Sequence, residues 1–255
     1  MKRMLLWSIP VIALLGASVL YFSPNSEKAQ PKEASQVPAS APPAIRYPIE
    51  ADGSPAKPLP ALTESDGAIR DELVALFGKD LQEFFNLHGI IHRIVATVDN
   101  LPRDHVSPRL MPVKSPPGLP VTTGAGESLA LSPRNATRYK PYVQLAEAVP
   151  TQALVLVYRR FYPLFQKQYE NLGYPEKYFN DRVVEVIDHL LEAPDLQPPV
   201  LLSQPRVLYE FADPKLQGLS AGQKILLRMG RENSLRMKSK LREIREALVS
   251  PAPKE

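Results

Sequence analysis

Cysteine is absent from all 255 residues, which excludes disulfides, a thiolate nucleophile, thiolate metal ligands and lipid attachment to a cysteine. Histidine occurs four times and tryptophan once. No glycine-rich loop is followed by Lys and then Ser or Thr, the arrangement that cradles a phosphate, and no Gly-x-Ser-x-Gly elbow is present. Carboxylates recur regularly only at Asp181, Glu185, Asp188 and Glu192, spaced 4, 3 and 4 residues apart. That spacing lines one side of a helix, opposite Val183, Ile187, Leu190 and Leu191. It describes a solvated face before it describes a general acid and base, because a glycosidase needs two carboxyls facing one cleft. No catalytic residue and no cofactor are assigned by motif.

What the chain does have is a long apolar run near its start. Residues 4–22 carry no charged side chain, follow Lys2 and Arg3, and give way at Ser23, Asn25 and Ser26 to polar sequence. A helix of this length matches a hydrocarbon core that needs roughly 17–25 residues. A cleaved secretory signal also needs a basic start and an apolar centre, but its cleavage site carries two small residues one position apart. Before Ala17 the corresponding position is Leu15, and Val19, Leu20, Tyr21 and Phe22 prolong the apolar stretch, so an uncleaved anchor is the favoured reading. Pro10 and Gly16 are both tolerated in membrane-spanning helices. The next basic residue is Lys28, so the charge asymmetry places the short end, residues 1–22 including the anchor, with its tip in the cytoplasm and the bulk of the chain across the membrane.

Residues 23–60 hold nine prolines among Ala, Ser, Gln, Lys and Glu, a composition expected of a disordered tether with a reach of at most roughly 120 Å. It reads as a spacer or as a proline motif for a partner. From Leu62 the pattern turns helical. Ser65 or Asp66 is placed to cap a helix carrying Ile69, Leu73, Leu76 and Phe77 that Gly78 ends. A second helix opens at Leu81, Phe84 and Phe85 and continues through Leu87, Ile91, Ile94 and Val98 to Leu101 before Pro102. Residues 102–137 contain too many Pro and Gly for helix, with short strands expected at 119–122 and 128–131. Helices are expected at 139–149, from Thr151 with a kink at Pro163, from Pro175 to about Ala193, and from Ser220 to Val249 with a break at Gly230. Val207, Tyr209 and Phe211 alternate as a strand does. The fold class is therefore mainly α, with a compact helical domain over 61–249 carrying small β elements and a tail at 250–255.

Charge is uneven along the chain. From Ser220 to Glu255 there are nine Lys and Arg against four Glu, so this segment carries the whole surplus of a chain whose net charge is +4. At 100° per residue, Lys224, Arg228, Arg231, Lys238, Arg242 and Arg245 gather in a sector of about 100°, with Leu226, Met237, Leu241, Ile244 and Leu248 in another. If Gly230 breaks the helix, only the half after Arg231 keeps that phase. This basic face reads as solvated surface, as an ion-pairing partner for the acidic row, or as a contact for an anionic lipid, a cell-envelope polymer or an acidic envelope protein. Nucleic acid is not expected, since no recognised binding motif accompanies the charge. His88 and His92, four apart, could share one helix face and chelate a metal, but residue 89 is Gly where a zinc protease has its glutamate. They read first as polar-edge histidines, and second as the centre of an envelope hydrolase or metal-dependent enzyme. Tyr158, Tyr162, Tyr169, Tyr174 and Tyr178 have core spacing with hydroxyls at the rim, or form a sugar-stacking surface.

Tyr158-Arg159-Arg160-Phe161-Tyr162-Pro163-Leu164-Phe165, Gly173-Tyr174-Pro175, Tyr178-Phe179-Asn180-Asp181-Arg182 and the run 222–230 together resemble the domain of unknown function 3014 family of proteobacterial envelope proteins. The resemblance spans roughly residues 60–248 and brings no activity, ligand or catalytic residue. It implies bacterial origin, which supports a periplasmic address and removes meaning from the glycosylation triplet at Asn135. The expectation is a single-pass inner-membrane protein whose periplasmic domain binds or scaffolds a cell-envelope partner.

Overall fold

The computed structural model describes residues 44–49, 58–79 and 81–250. The expected anchor at 4–22, most of the tether and residues 251–255 lie outside them. Among the described residues no helix is long and apolar enough to cross a membrane. The chain runs through α1 (Ser65–Phe77), α2 (Leu81–Phe84), α3 (Ile90–Asn100), β1 (Thr122–Thr123), β2 (Ala130–Leu131), α4 (Arg134–Ala148), α5 (Thr151–Asn171) and α6 (Phe179–Leu191). It continues with β3 (Leu202–Ser203), β4 (Glu210–Phe211), α7 (Pro214–Gln217), α8 (Ala221–Arg228) and α9 (Arg231–Val249). This is a mainly helical domain with two small antiparallel sheets, β1 on β2 and β3 on β4, joined by a bridge between Ala130 and Leu201.

Helix α6 is the hub. Its Phe179 packs with Ile69, Ile90, Ile91, Phe161 and Phe165 of α1, α3 and α5. Val186 and Leu190 face Leu226 and Leu227 of α8, and Val184 and Ile187 meet Val155 and Leu248. One helix serving three clusters needs apolar residues on most of its circumference, which leaves its acidic row a narrow outer strip. Where α8 crosses behind α6 the approach is close. The amide of Gly222 donates to Leu101 O at 2.9 Å, and a Cβ there would meet Leu190 Cδ2 and lie 3.1 Å from Leu101 O. Gly222→Ala is therefore expected to cost about 1–3 kcal/mol through overpacking, read as a lower thermal midpoint with unchanged helix content. An unchanged midpoint would show that α8 can shift away.

The segments between the helices depart from the local pattern in instructive ways. The expected second helix is two pieces: α2 ends after four residues, Gly89 takes a left-handed conformation (φ 61°), and α3 starts at Ile90. The carboxylate of Asp66 does not cap its own helix but accepts from the amides of Gly89 (2.7 Å) and Ile90 (3.3 Å), closing the start of α3. The long excursion over 102–137 folds back to fill the gap. Asn86 N donates to Pro112 O and Lys114 N to Phe84 O, while Thr97 Oγ1 donates to Leu110 O at 3.0 Å. Farther along, the Arg138 guanidinium donates to the carbonyls of Pro116, Pro117 and Gly118, and buried Asn135 bonds both backbone groups of Val121. Helix α4 thus begins at Arg134, five residues before the expected start, and α6 begins at Phe179, four after Pro175. Val207 and Leu208, expected in a strand, sit at the β3–β4 turn, 86% and 76% exposed.

Candidate interaction surfaces

The C-terminal cations are the first candidate. Helix α8 opens with a reciprocal cap, Ser220 Oγ accepting from Gln223 N and Gln223 Oε1 from Ser220 N, and Gly230 (φ 82°) separates it from α9. After that break the six cations of the sequence-predicted face do not share one solvent surface. Lys224 is buried and its Nζ donates to Gln217 O at 3.1 Å. Lys238 is 2% exposed, donating to Ala193 O and, at 2.6 Å, to Asp195 Oδ1. Arg245 holds Asp188 with both ends of its guanidinium, Nη2 at 3.0 Å. Arg228, Arg231 and Arg242 are exposed, with Arg228 lying 5.8 Å from the centre of the Phe211 ring. Two cations outside the predicted sector are also engaged: Arg236 grips Glu147 of α4, and buried Lys240 donates to Val149 O at 2.6 Å.

The electrostatics follow from these pairs. The hydrogen bond from Lys238, reinforced by the charges of Arg231 and Arg242, holds the Asp195 carboxyl below the usual range. Arg236 does the same to Glu147, again mainly through its hydrogen bond. Of the acidic row, Asp188 meets the basic helix, Glu185 pairs with Arg182 of its own helix at 3.1 Å, and Glu192 is exposed. Arg228 and Arg231 also border a cleft of about 320 Å³ between the first turns of α4 and α9 and the 194–200 loop. Its walls are mostly apolar, including Leu131, Pro194, Leu196 and Leu226, with Asp195 and Glu232 at the edge. Ser234 lines it too, and its hydroxyl is buried with no hydrogen-bond partner.

The histidines do not converge. His88 lies in the turn before α3, not on it, with a side chain 99% exposed and Nδ1 3.4 Å from Asp66 Oδ2. His92, on the exposed side of α3, reaches Gln168 Nε2 at 3.2 Å through Nδ1. A four-residue spacing shares a face only within one helix, and α3 starts at Ile90, after His88 and Gly89. Among the described residues no three His, Asp or Glu gather as metal ligands. The tyrosines form a packed row: Tyr158 against Tyr162 (5.6 Å between centres), Tyr162 against Tyr178 (5.2 Å) and Tyr169 against Tyr174 (4.7 Å). Their rings belong to the core, and hydroxyls bond Asn180 and Asp99.

A further surface has only a faint trace in the sequence. Residues 44–49, inside the stretch assigned to the tether, lie against the start of α6. Asp181 accepts from the amides of Arg46 (3.0 Å) and Tyr47 (2.8 Å), one on each carboxylate oxygen. The Tyr178 hydroxyl accepts from Ile49 N at 2.7 Å, and Asn180 Nδ2 donates to Tyr47 O at 2.9 Å. Tyr47 and Ile49 are half-buried against Val155, Val184, Ile187 and Leu248, whereas Arg46 and Pro48 are exposed. The Ile45-Arg46-Tyr47-Pro48-Ile49 alternation was the available signal, one easily lost among nine prolines.

No curated protein and no solved structure matches the chain. A family model does, over residues 90–245, more than half of the length, and it takes in α3 to α6, the cations up to Arg245 and the Tyr178-Phe179-Asn180-Asp181 seat of the 44–49 segment. The chain therefore belongs to the family described as Protein of unknown function (DUF3014).

Proposed function

We propose that the protein is a binding or scaffolding component of the bacterial cell envelope, held in the inner membrane by residues 4–22, with its helical domain in the periplasm. The supporting observation is the rim of the α8–α9 cleft. Arg228 and Arg231 border a mostly apolar recess that also contains an unpartnered hydroxyl, and Arg242 is exposed farther along α9, about 16 Å from Arg231 on the same face. Cations beside apolar surface suit an anionic envelope polymer or lipid head group, or an acidic segment of an envelope protein.

The chain from residue 44 onward is expected to sediment with cell-wall sacculi or with anionic vesicles at low salt and to release at high salt. Sacculi without vesicles indicate a polymer, vesicles without sacculi a lipid. Changing Arg228, Arg231 and Arg242 together to Glu removes three contacts worth about 1 kcal/mol each near an anionic surface, so binding should weaken by more than about a hundredfold. Retention of full binding by that variant would overturn the assignment of this surface.

A further inference from the structure

We infer that the start of α6 is a recognition site for a short linear protein segment, filled here in cis by residues 44–49 and open to exchange with a partner segment of the same chemistry. The inference stands on the contacts of that segment and is independent of the cleft at the α8–α9 junction.

All four polar contacts go to the main chain of the occupant: the amides of Arg46, Tyr47 and Ile49, and the carbonyl of Tyr47. Backbone contacts of this kind hold any chain that presents the same groups, and side-chain pockets then select among sequences. Here the selective positions are two, an aromatic at Tyr47 and a branched aliphatic at Ile49, with Pro48 tolerated between them because no contact uses its nitrogen. The exposed Arg46 contributes its amide, so the occupant needs no particular charge there.

The receiving side is built without its occupant. Asn180 Oδ1 accepts from the Tyr158 hydroxyl at 3.2 Å, Asn180 N donates to the Tyr162 hydroxyl at 3.2 Å, and Phe179 N donates to Gln166 Oε1 at 2.8 Å. The Tyr178 ring, packed against Tyr162 at a tilt of 51°, holds the hydroxyl that receives Ile49. A seat held in place by α5, α6 and Leu248 of α9 loses little freedom on binding, which is what lets a short segment bind at all. The seat also lies within the matched family region, whereas its occupant lies outside it. The ligand class is therefore a linear segment of pattern aromatic–x–aliphatic with free amides at the aromatic, at the residue before it and at the aliphatic.

A fluorescent peptide of residues 44–49 titrated into the full chain tests this. In the wild type the attached segment competes at an effective concentration of order millimolar, so the peptide should bind weakly. In the Tyr47→Ala, Ile49→Ala chain the competitor has lost both anchors, and affinity should rise at least roughly tenfold. Adding Asp181→Ala should abolish that gain, and a peptide carrying the same two alanines should not bind. Absence of binding to the Tyr47→Ala, Ile49→Ala chain, or equal binding with and without Asp181, would overturn the site. As a check that needs no variant, excess wild-type peptide should accelerate hydrogen exchange at the amides of Tyr47 and Ile49 in the unmodified chain, and unchanged exchange there would overturn exchange in trans.

Discussion

Raising the pH from about 10 to about 12 is expected to weaken the helical domain steeply, with the tyrosinate absorbance of Tyr158, Tyr162 and Tyr169 appearing only as the helical signal is lost. Burial pushes the phenols of Tyr158 and Tyr162 well above their ordinary range, helped by neighbouring Tyr178, and burial raises Tyr169 to about 12. For a group whose pKa is raised by folding, the stabilisation is complete below the unfolded value, near 10 for tyrosine, and declines as pH climbs toward the folded value. Each such tyrosine removes about 1.4 kcal/mol per pH unit in that window, so three remove about 4 kcal/mol per unit. Over two units that is at most about 8 kcal/mol, half or more of a typical total of about 5–15 kcal/mol. The outcome that would sink this reading is ionisation of all the tyrosines near pH 10 with the helices intact, which would mean the row is wet.

Lys238→Glu should be the most damaging of the single charge reversals on α9. Lys238 is 2% exposed, and its ammonium is held by Ala193 O and Asp195. Reversal strands a carboxylate at the buried lysine site beside Asp195, whose own side chain is half-exposed, and an uncompensated buried charge of this kind costs about 3–5 kcal/mol. For a domain of this size the midpoint should fall by roughly 6–20 °C. Lys238→Met keeps the stem's packing and should cost about 1–3 kcal/mol, mainly for the unsatisfied Ala193 carbonyl. Arg242→Glu, in solvent, should change stability by no more than about 0.5 kcal/mol. Equal effects of Lys238→Glu and Arg242→Glu would refute the burial. A second signature lies in acid: the depressed Asp195 carboxyl contributes stability above its unfolded pKa, near 4, and loses it as pH falls through the lower folded value. Lys238→Met should flatten that part of the profile.

Elements set by neighbouring residues were legible in advance. Helix α1 stops at Gly78, α5 starts directly after Pro150, and Ser220 caps α8, because each signal acts within one turn of itself. The errors share a different cause. Asp66 looked like the cap of α1 but serves α3, 23 residues away, and the helix proposed through His88 breaks because the excursion over 102–137 supplies partners for residues 84–86. The basic face was legible as a pattern on a wheel but not as a surface. A wheel assigns an angle to Lys238 and Arg245, and only the neighbouring elements decide whether that angle faces water, Asp195 or Asp188.

The amino-acid order alone determined what is local or compositional: the apolar run at 4–22, the helical character of 61–249, the breaks at Gly and Pro, the exclusion of cysteine chemistry and the family motifs of α5 and α6. The tertiary structure decided which groups meet. It withdrew three of six cations into internal contacts, sent the tyrosine hydroxyls into a hydrogen-bonded seat, and docked residues 44–49 on α6 at a separation of more than 130 positions. The physical reason is that a charged or hydrogen-bonding side chain is specified by its partner, and a partner chosen by packing across the fold leaves no mark on the residues beside it in sequence.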